Sequence, residues 1–381
     1  MSRLSQQELQ ALKDAHPLDM LAEARGIKLG RPSAKGVRDG ACPCAPVRGK
    51  KPFWINTRTN TYGCLKGGCG GDIFTWLKEF EGLDFAAALE RLGGKSAVSD
   101  PEAVARARTE RETKLRAAEA VEAKRREEDR AKAYEIFATG VGVISGTPVE
   151  DYLTGRGLGE VADYLNRRLR FLPEEPYYHE VEGRFRIIHR GPAMMAAIQG
   201  PDDKFMGVHL TWLDLANPGK KATITAPDGT RCPAKKVKGL AKGGAIRLIG
   251  SKNGETLIIG EGIETTLSVW LALRKHGKHG PYAAWSSVSL GNMSGGGLGP
   301  STPHPSGRGW VPSEVPDPTA PGMMPPAWAP KVILLGDGDS DPLVTRARMQ
   351  CARRRFEAAG HEVNVHFAPQ GKDFNDMVMA E

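Results

Sequence analysis

The chain has 381 residues, 40% hydrophobic and 26% charged, enough for two or three domains with sizeable cores and too apolar for a disordered or fibrous chain. Its 53 basic and 45 acidic side chains leave a formal net charge of +8, which favours polyanionic partners, nucleic acid first among them. No run reaches the roughly 18 to 20 apolar residues of a membrane span, and the first 30 residues form a mixed-charge helical pattern unlike a signal peptide. A cytoplasmic, nucleoid-associated protein with no membrane partner is expected.

Ser5-Gln6-Gln7-Glu8 has the form of a capping box, and Leu9 and Leu12 follow at helical spacing until Pro17. Leu18, Leu21 and Ala22 restart the pattern, which Gly26, Gly30 and Pro32 end, so two short helices lead into a cysteine-rich segment. Beyond it, residues 73–92 read as two amphipathic helices joined at Gly82. The first domain is placed at 1–96. Residues 97–133 are nearly devoid of large apolar side chains and alternate Arg, Lys, Glu and Ala, the pattern of a solvated helical linker with i, i+4 charge pairs.

Short strand-like runs at 185–189, 194–199 and 206–213 place an α+β segment at 134–250. From 251 to 381, apolar runs at 256–260, 282–286, 332–335 and 363–367 alternate with helical patterns at 265–274 and 344–359, which implies parallel pairing and an α/β domain. The Gly, Pro and Ser-rich stretch 293–328 reads as a loop at the edge of that sheet. A GxxxxGK[ST] phosphate loop is absent, which argues against a built-in motor ATPase.

Four of the six cysteines, Cys42, Cys44, Cys64 and Cys69, crowd into 28 residues. Four thiolates satisfy tetrahedral Zn2+, and glycines 67, 68, 70 and 71 let backbone amides turn toward sulfur, so a zinc ribbon with hairpin strands at 53–56 and 61–63 is expected. A closed four-cysteine site makes the zinc structural. Lys50, Lys51 and Arg58 flank Phe53, Trp54 and Tyr62, a mixture suited to phosphates and stacked bases of single-stranded DNA; at least one of the first two aromatics is expected to pack the ribbon instead. Cys232 and Cys351 stand alone as ordinary thiols.

The run 257–260 delivers Glu261-Gly262-Ile263-Glu264 at its carboxyl end, and the run 332–335 delivers Asp337-Gly338-Asp339-Ser340-Asp341. Open α/β sheets put ligand sites at the carboxyl ends of parallel strands. Several carboxylates crowded there call for Mg2+ or Mn2+, which also binds phosphate, with Glu261, Asp337 and Asp339 foremost and Asp341 and Asp373 as further ligands. Glu264 and Asp376 serve equally well as helix caps.

These residues resemble the bacterial DnaG-type DNA primases, and more closely the Toprim-domain primase-like proteins of phages and mobile elements. Cys42-Pro43 and Tyr62-Gly63-Cys64 through Asp72 look like the primase zinc domain, although Ala45 and Gly67 stand where that family usually has His and Cys, leaving Cys44 and Cys69 to take over. Glu261-Gly262-Ile263-Glu264-Thr265, Asp337-Gly338-Asp339 and Gly371-Lys372-Asp373-Phe374-Asn375-Asp376 are similar to the Toprim motifs. The resemblance implies a zinc ribbon, helical linker, α+β middle and C-terminal Toprim-like domain, with RNA primers made from NTPs on a single-stranded DNA template and a replicative helicase acting in trans. By the same likeness Glu261 assists proton transfer or binds metal, Asp337 and Asp339 hold Mg2+, and basic residues such as Arg186, Lys220, Lys221, Lys235 and Lys372 line the template and nucleotide groove. A Toprim-type nuclease and a non-catalytic zinc-ribbon single-strand-binding accessory protein are the alternatives.

Overall fold

The computed structural model describes residues 5–33, 36–41, 43, 53–64, 69–93, 101–250, 256–278, 280–299 and 301–380. The chain divides into two compact units, Met1–Arg126 and Glu127–Glu381.

In the first unit, α1 (Gln6–Ala15) begins at the foreseen capping box. Ser5 accepts from the Glu8 backbone, and the Glu8 side chain accepts from the Ser5 backbone. Helix α2 (Leu18–Ala24) follows, and strands β1 (Val37–Gly40), β2 (Phe53–Asn56), β3 (Thr61–Cys64) and β4 (Gly70–Gly71) form an antiparallel sheet in that order. The β2–β3 turn holds Asn60 in left-handed backbone, where asparagine is tolerated. Its buried amide donates to the Lys13 and His16 carbonyls and accepts from the Leu18 amide, so one turn residue fixes the corner between α1 and α2. Asp72 caps α3 (Ile73–Glu81) and pairs with Lys13 at 2.7 Å; Gly82, at φ 70°, ends α3 before α4 (Phe85–Arg91). Leu12, Leu18, Phe53, Ile55, Tyr62, Trp76 and Leu77 form the core of this small unit. Helix α5 (Pro101–Thr139) carries the charged stretch as one continuous helix, six residues past the expected end, with ion pairs such as Glu122–Arg126 at 3.3 Å.

The second unit contains two sheets. After α6 (Pro148–Gly155) and a 3-10 turn at Gly159–Leu165, β5 (Leu169–Val181), β6 (Arg184–Gln199), β7 (Phe205–Trp212) and β10 (Lys235–Gly239) form an antiparallel sheet of order β10-β7-β6-β5; β8 (Ile224–Thr225) and β9 (Arg231–Cys232) make a small hairpin. The two strands expected at 185–189 and 194–199 are one strand, β6. The polar stretch 189–192, which resembles a turn, is carried through by irregular pairing with β5.

The other sheet has the order β11-β13-β12-β16-β17, from β11 (Ile246–Ile249), β12 (Thr256–Gly260), β13 (Tyr282–Ser286), β16 (Lys331–Gly336) and β17 (Glu362–Phe367). All pairings are parallel except β11 on β13. Its strands are apolar on both faces because both are covered. Ile258 packs with Ile263, Leu267 and Leu271 of α7 (Ile263–Lys275), while Leu257 and Ile259 pack with Met349, Ala352 and Phe356 of α9 (Pro342–Ala358). Between β13 and β16 lie α8 (Leu290–Ser294) and a long loop with the short hairpin β14 (Thr302–Pro303) and β15 (Trp310–Val311). That loop also builds core, since Met323 and Ala329 are buried against the α9 face. Helix α10 (Phe374–Ala380) ends the description, and no described helix is long and apolar enough to cross a membrane.

A candidate carboxylate site at the ends of the parallel strands

Strands β12 and β16 run side by side in register, Ile259 opposite Leu334, so the residues that follow them, Glu261 and Asp337, leave the same end of the sheet. Thr265, in the first turn of α7, donates its hydroxyl to the Asp337 carboxylate at 3.1 and 3.2 Å, tying the first acidic segment to the second. The third segment is tied to the second through the backbone, Gly338 N–H donating to the Lys372 carbonyl (2.9 Å) and Gly371 N–H to the Gly338 carbonyl (2.8 Å). A Cβ on Gly338 would stand 2.7 Å from the Ala368 carbonyl and nearer still to that of Pro369, so the glycine between the two aspartates is a steric requirement of this crossing. Asn375, fully buried, donates to Ser268 Oγ of α7 and the Arg156 carbonyl, and accepts from the Arg156 guanidinium.

The carboxylates feel one another. Burial pushes Asp337 up to about 7; Thr265 works against the shift, and the charges of Asp373, Asp339 and Glu261 add to it. Glu261 is also raised, by burial first and by Asp339, against the pull of Lys235 and Arg348. Among the described residues, no three His, Cys, Asp or Glu side chains are close enough to enclose a metal ion unaided. Asp341 is occupied elsewhere, capping α9 through the Leu343 and Val344 amides and pairing with His304 at 3.1 Å. Asp373 and Asp376 cap α10 reciprocally. A cavity of about 430 Å3 opens beside Asp337, bounded by Gly338, Thr345, Arg346 and Gln370.

Behind this site lies an ion cluster in which Glu264, 5% exposed, is central. It accepts from the Tyr152 hydroxyl at 2.5 Å and pairs with Lys221 at 3.0 Å and Lys235 at 3.5 Å. Burial opposes its charge, but Lys235, Lys221 and Tyr152 outweigh it and hold its pKa well below the carboxylate range. Lys235 is raised by Glu264 first, and Glu261 adds to that, so one ammonium serves both glutamates. Next to it His209, buried on β7, is held neutral down to about 4 by burial and by Lys235 and Lys221. The sequence ranked neither Tyr152 nor His209. His209 is an isolated polar residue in an apolar run, Tyr152 is one residue of a mixed helix, and their partners sit on other elements.

The remaining sequence candidates are dispersed. Phe53 and Tyr62 are enclosed against Trp76: Phe53 packs the small unit, as expected of at least one of Phe53 and Trp54, whereas for Tyr62 the burial corrects its reading as a base-stacking ring. The Tyr62 hydroxyl donates to Glu79 at 2.6 Å. Trp54 is half-buried over Gly63, and Arg58 is exposed and paired with Glu119. Cys64 and Cys69 are joined through the backbone, the Cys64 amide donating to the Cys69 carbonyl at 2.9 Å. Cys42, Cys44, Lys50 and Lys51 lie outside the described residues. Arg186 is exposed beside Glu182, while Lys220 and Lys372 are exposed on turns.

Residues 127–248 match a domain of unknown function, DUF7146. No curated protein sequence matches the chain. Solved structures similar to it are DnaG-type primase domains. The zinc-binding and RNA polymerase domains of the Aquifex aeolicus primase are 13% identical, with 100% of this chain and 83% of that one covered and a TM-score of 0.32. A DNA primase domain from Pseudomonas aeruginosa is 14% identical over 66% and 75% of the two chains, TM-score 0.35. The RNA polymerase domain of Mycobacterium tuberculosis primase DnaG is 13% identical over 67% and 79%, TM-score 0.36. Likeness at this level leaves the chemistry to the site itself.

Proposed function

We propose that the chain is a metal-dependent nucleotidyltransferase of the Toprim primase kind, which makes short RNA primers from NTPs on single-stranded DNA for phage or mobile-element replication. The observation that supports it most is the tying of three acidic segments, separated by up to 112 positions, to one strand-end site through the Thr265–Asp337 and Gly338–Lys372 bonds. The donor set fits Mg2+ or Mn2+. Such ions are commonly held by one or two carboxylates, with waters and substrate phosphates completing the shell, so no closed three-ligand cage is required. Glu261, Asp337 and Asp339 would hold the ion, with Asp373 adjoining. Bound there, it would neutralise the triphosphate and stabilise charge developing at the α-phosphate.

The reaction joins a nucleotide 3′ oxygen to the α-phosphorus of the incoming NTP and releases pyrophosphate. Where Asp337 and Asp339 alone held the ion, Glu261 would instead take the proton of the attacking hydroxyl. Lys235, anchored by Glu264, supplies positive charge for the phosphates, and Arg346 lines the cavity beside Asp337. In the first unit, Cys64 and Cys69 would provide two of four ligands to a structural zinc completed by Cys42 and Cys44. A replicative helicase working in trans belongs to the same reading.

The test is incorporation of labelled NTPs on circular single-stranded DNA with Mg2+ or Mn2+. Glu261→Gln and Asp337→Asn should each lower incorporation at least about a hundred-fold with an unchanged unfolding transition. Degradation of labelled single-stranded DNA without NTPs would identify a nuclease instead. Tight DNA binding with no incorporation under either metal would identify an accessory protein.

A further inference from the structure

At the β11–β13 edge of the parallel sheet is a cavity of about 750 Å3 whose described lining includes none of the strand-end carboxylates Glu261, Asp337, Asp339 and Asp373. That volume accommodates a nucleotide. Its apolar wall includes Trp285, 5% exposed in the core, and Trp328, which stands edge-on to it with ring centres 5.9 Å apart. Trp328 keeps 41% of its surface exposed, an uncovered indole at the mouth of a cavity.

The charges at this cavity differ in availability. Arg247 is largely engaged: its guanidinium carbon lies 4.6 Å from the Trp285 ring centre, one nitrogen binds Asp203 and another donates to the Gly200 carbonyl at 2.7 Å, with its buried Nε lacking a partner among the described residues. Arg247 therefore braces the floor and cancels Asp203, the only carboxylate among the described lining residues. Arg168 is exposed, sits against Gly250, and has no carboxylate partner among the described residues. An exposed indole and a guanidinium without a carboxylate partner among the described residues, lining one cavity, suit a flat ring that carries an anion. A proline-rich peptide would use the indole but leave the cation unmatched.

We propose that this cavity binds an unpaired nucleotide, the base on Trp328 and the phosphate at Arg168. The inference deepens the primase reading by giving a single strand a hold separate from the carboxylates, and it is tested without catalysis. Full-length Glu261→Gln protein, with neither NTP nor divalent metal added, is titrated into a fluorescein-labelled dT12 oligonucleotide. Trp328→Ala should weaken binding about five-fold or more, with Trp328→Phe restoring most of it. Arg168→Ala should lower the slope of log affinity against log salt by about one. A bromodeoxyuridine oligonucleotide should photo-crosslink within 323–328, and competition by free dTMP separates a site for single nucleotides from one needing a strand.

Unchanged affinity and salt slope in these variants, each with a wild-type thermal transition, would overturn the proposal. So would crosslinks mapping only elsewhere, or Trp328-dependent binding of a proline-rich peptide without any effect on the oligonucleotide. Trp328-dependent binding in a protein that incorporates no NTP would uphold this site while removing the primase reading.

Discussion

The sheet of the first unit and the parallel sheet of the second treat their conspicuous residues in opposite ways. In the first, Phe53 and Tyr62 flank basic residues in sequence yet lie inside, because a sheet of four-residue and two-residue strands has little else with which to fill a core. In the second, Leu257, Ile258, Ile259, Val332, Leu334 and Leu335 fill both faces, and the carboxylates that follow add nothing to packing. Polar residues that a core cannot use, placed where strands end, are stronger evidence of chemistry than aromatics that a core needs.

The sharpest way to break this contrast is to truncate a ring. Phe53→Ala should cost the first unit about 3 to 5 kcal/mol, seen in calorimetry as an earlier transition for that unit while the transition of Glu127–Glu381 stays in place. If Phe53→Ala instead left stability intact and weakened DNA binding, the ring would be a contact and the contrast would fail.

A pH titration probes the second unit. His209 is neutral inside the fold, its pKa depressed from 6.5 to about 4. Between those values the unfolded chain binds a proton that the folded one refuses, so the contribution of His209 to stability is complete above about pH 6.5 and is lost toward pH 4, by about 3 kcal/mol, while Asp337, raised from 3.8 to about 7, contributes with the opposite sign over the same range. Glu264, depressed in the fold, adds a further loss at lower pH, once the unfolded carboxyl begins to protonate below about 4.5. Urea midpoints of wild type and His209→Gln measured from pH 8 to pH 4 should show the wild type losing the His209 contribution relative to the variant as the pH falls, the Asp337 contribution being common to both. A difference between the two proteins that does not change with pH would mean that the buried cluster is hydrated.

How much of this was legible follows the same physics. Strands β12, β13, β16 and β17 could be read within a residue or so, since strands buried on both faces are continuous apolar runs. Strand β5 could not: Leu169–Val181 contains Pro173 and Pro176 and reads as a loop, and it is a strand because it lies at the sheet edge, where proline costs no ladder bond. Strand β11 is four residues whose pairing partner lies beyond β12 in sequence. At the site, the acidic residues announced themselves by position. Lys235 did not stand out from the other basic residues of its segment, because its importance comes from Glu264 in α7 and Glu261 between β12 and α7, both distant in sequence.

Trp54 gives the smallest and most discriminating effect. Its ring covers Gly63, where an added Cβ would fall 2.6 Å from the indole, and one side of the ring remains partly open to solvent. Removing a half-buried ring should cost less stability than Phe53→Ala. A ring that also stacks on a base should lower affinity for single-stranded DNA about ten-fold when cut to alanine. Trp54→Ala, measured by anisotropy against the labelled oligonucleotide at a temperature well below the first transition, separates the two roles. A loss of affinity with the first unit still folded makes Trp54 the aromatic of this sheet left over for nucleic acid. Unchanged affinity makes all three rings structural, and binding in this unit must then rest on cations alone.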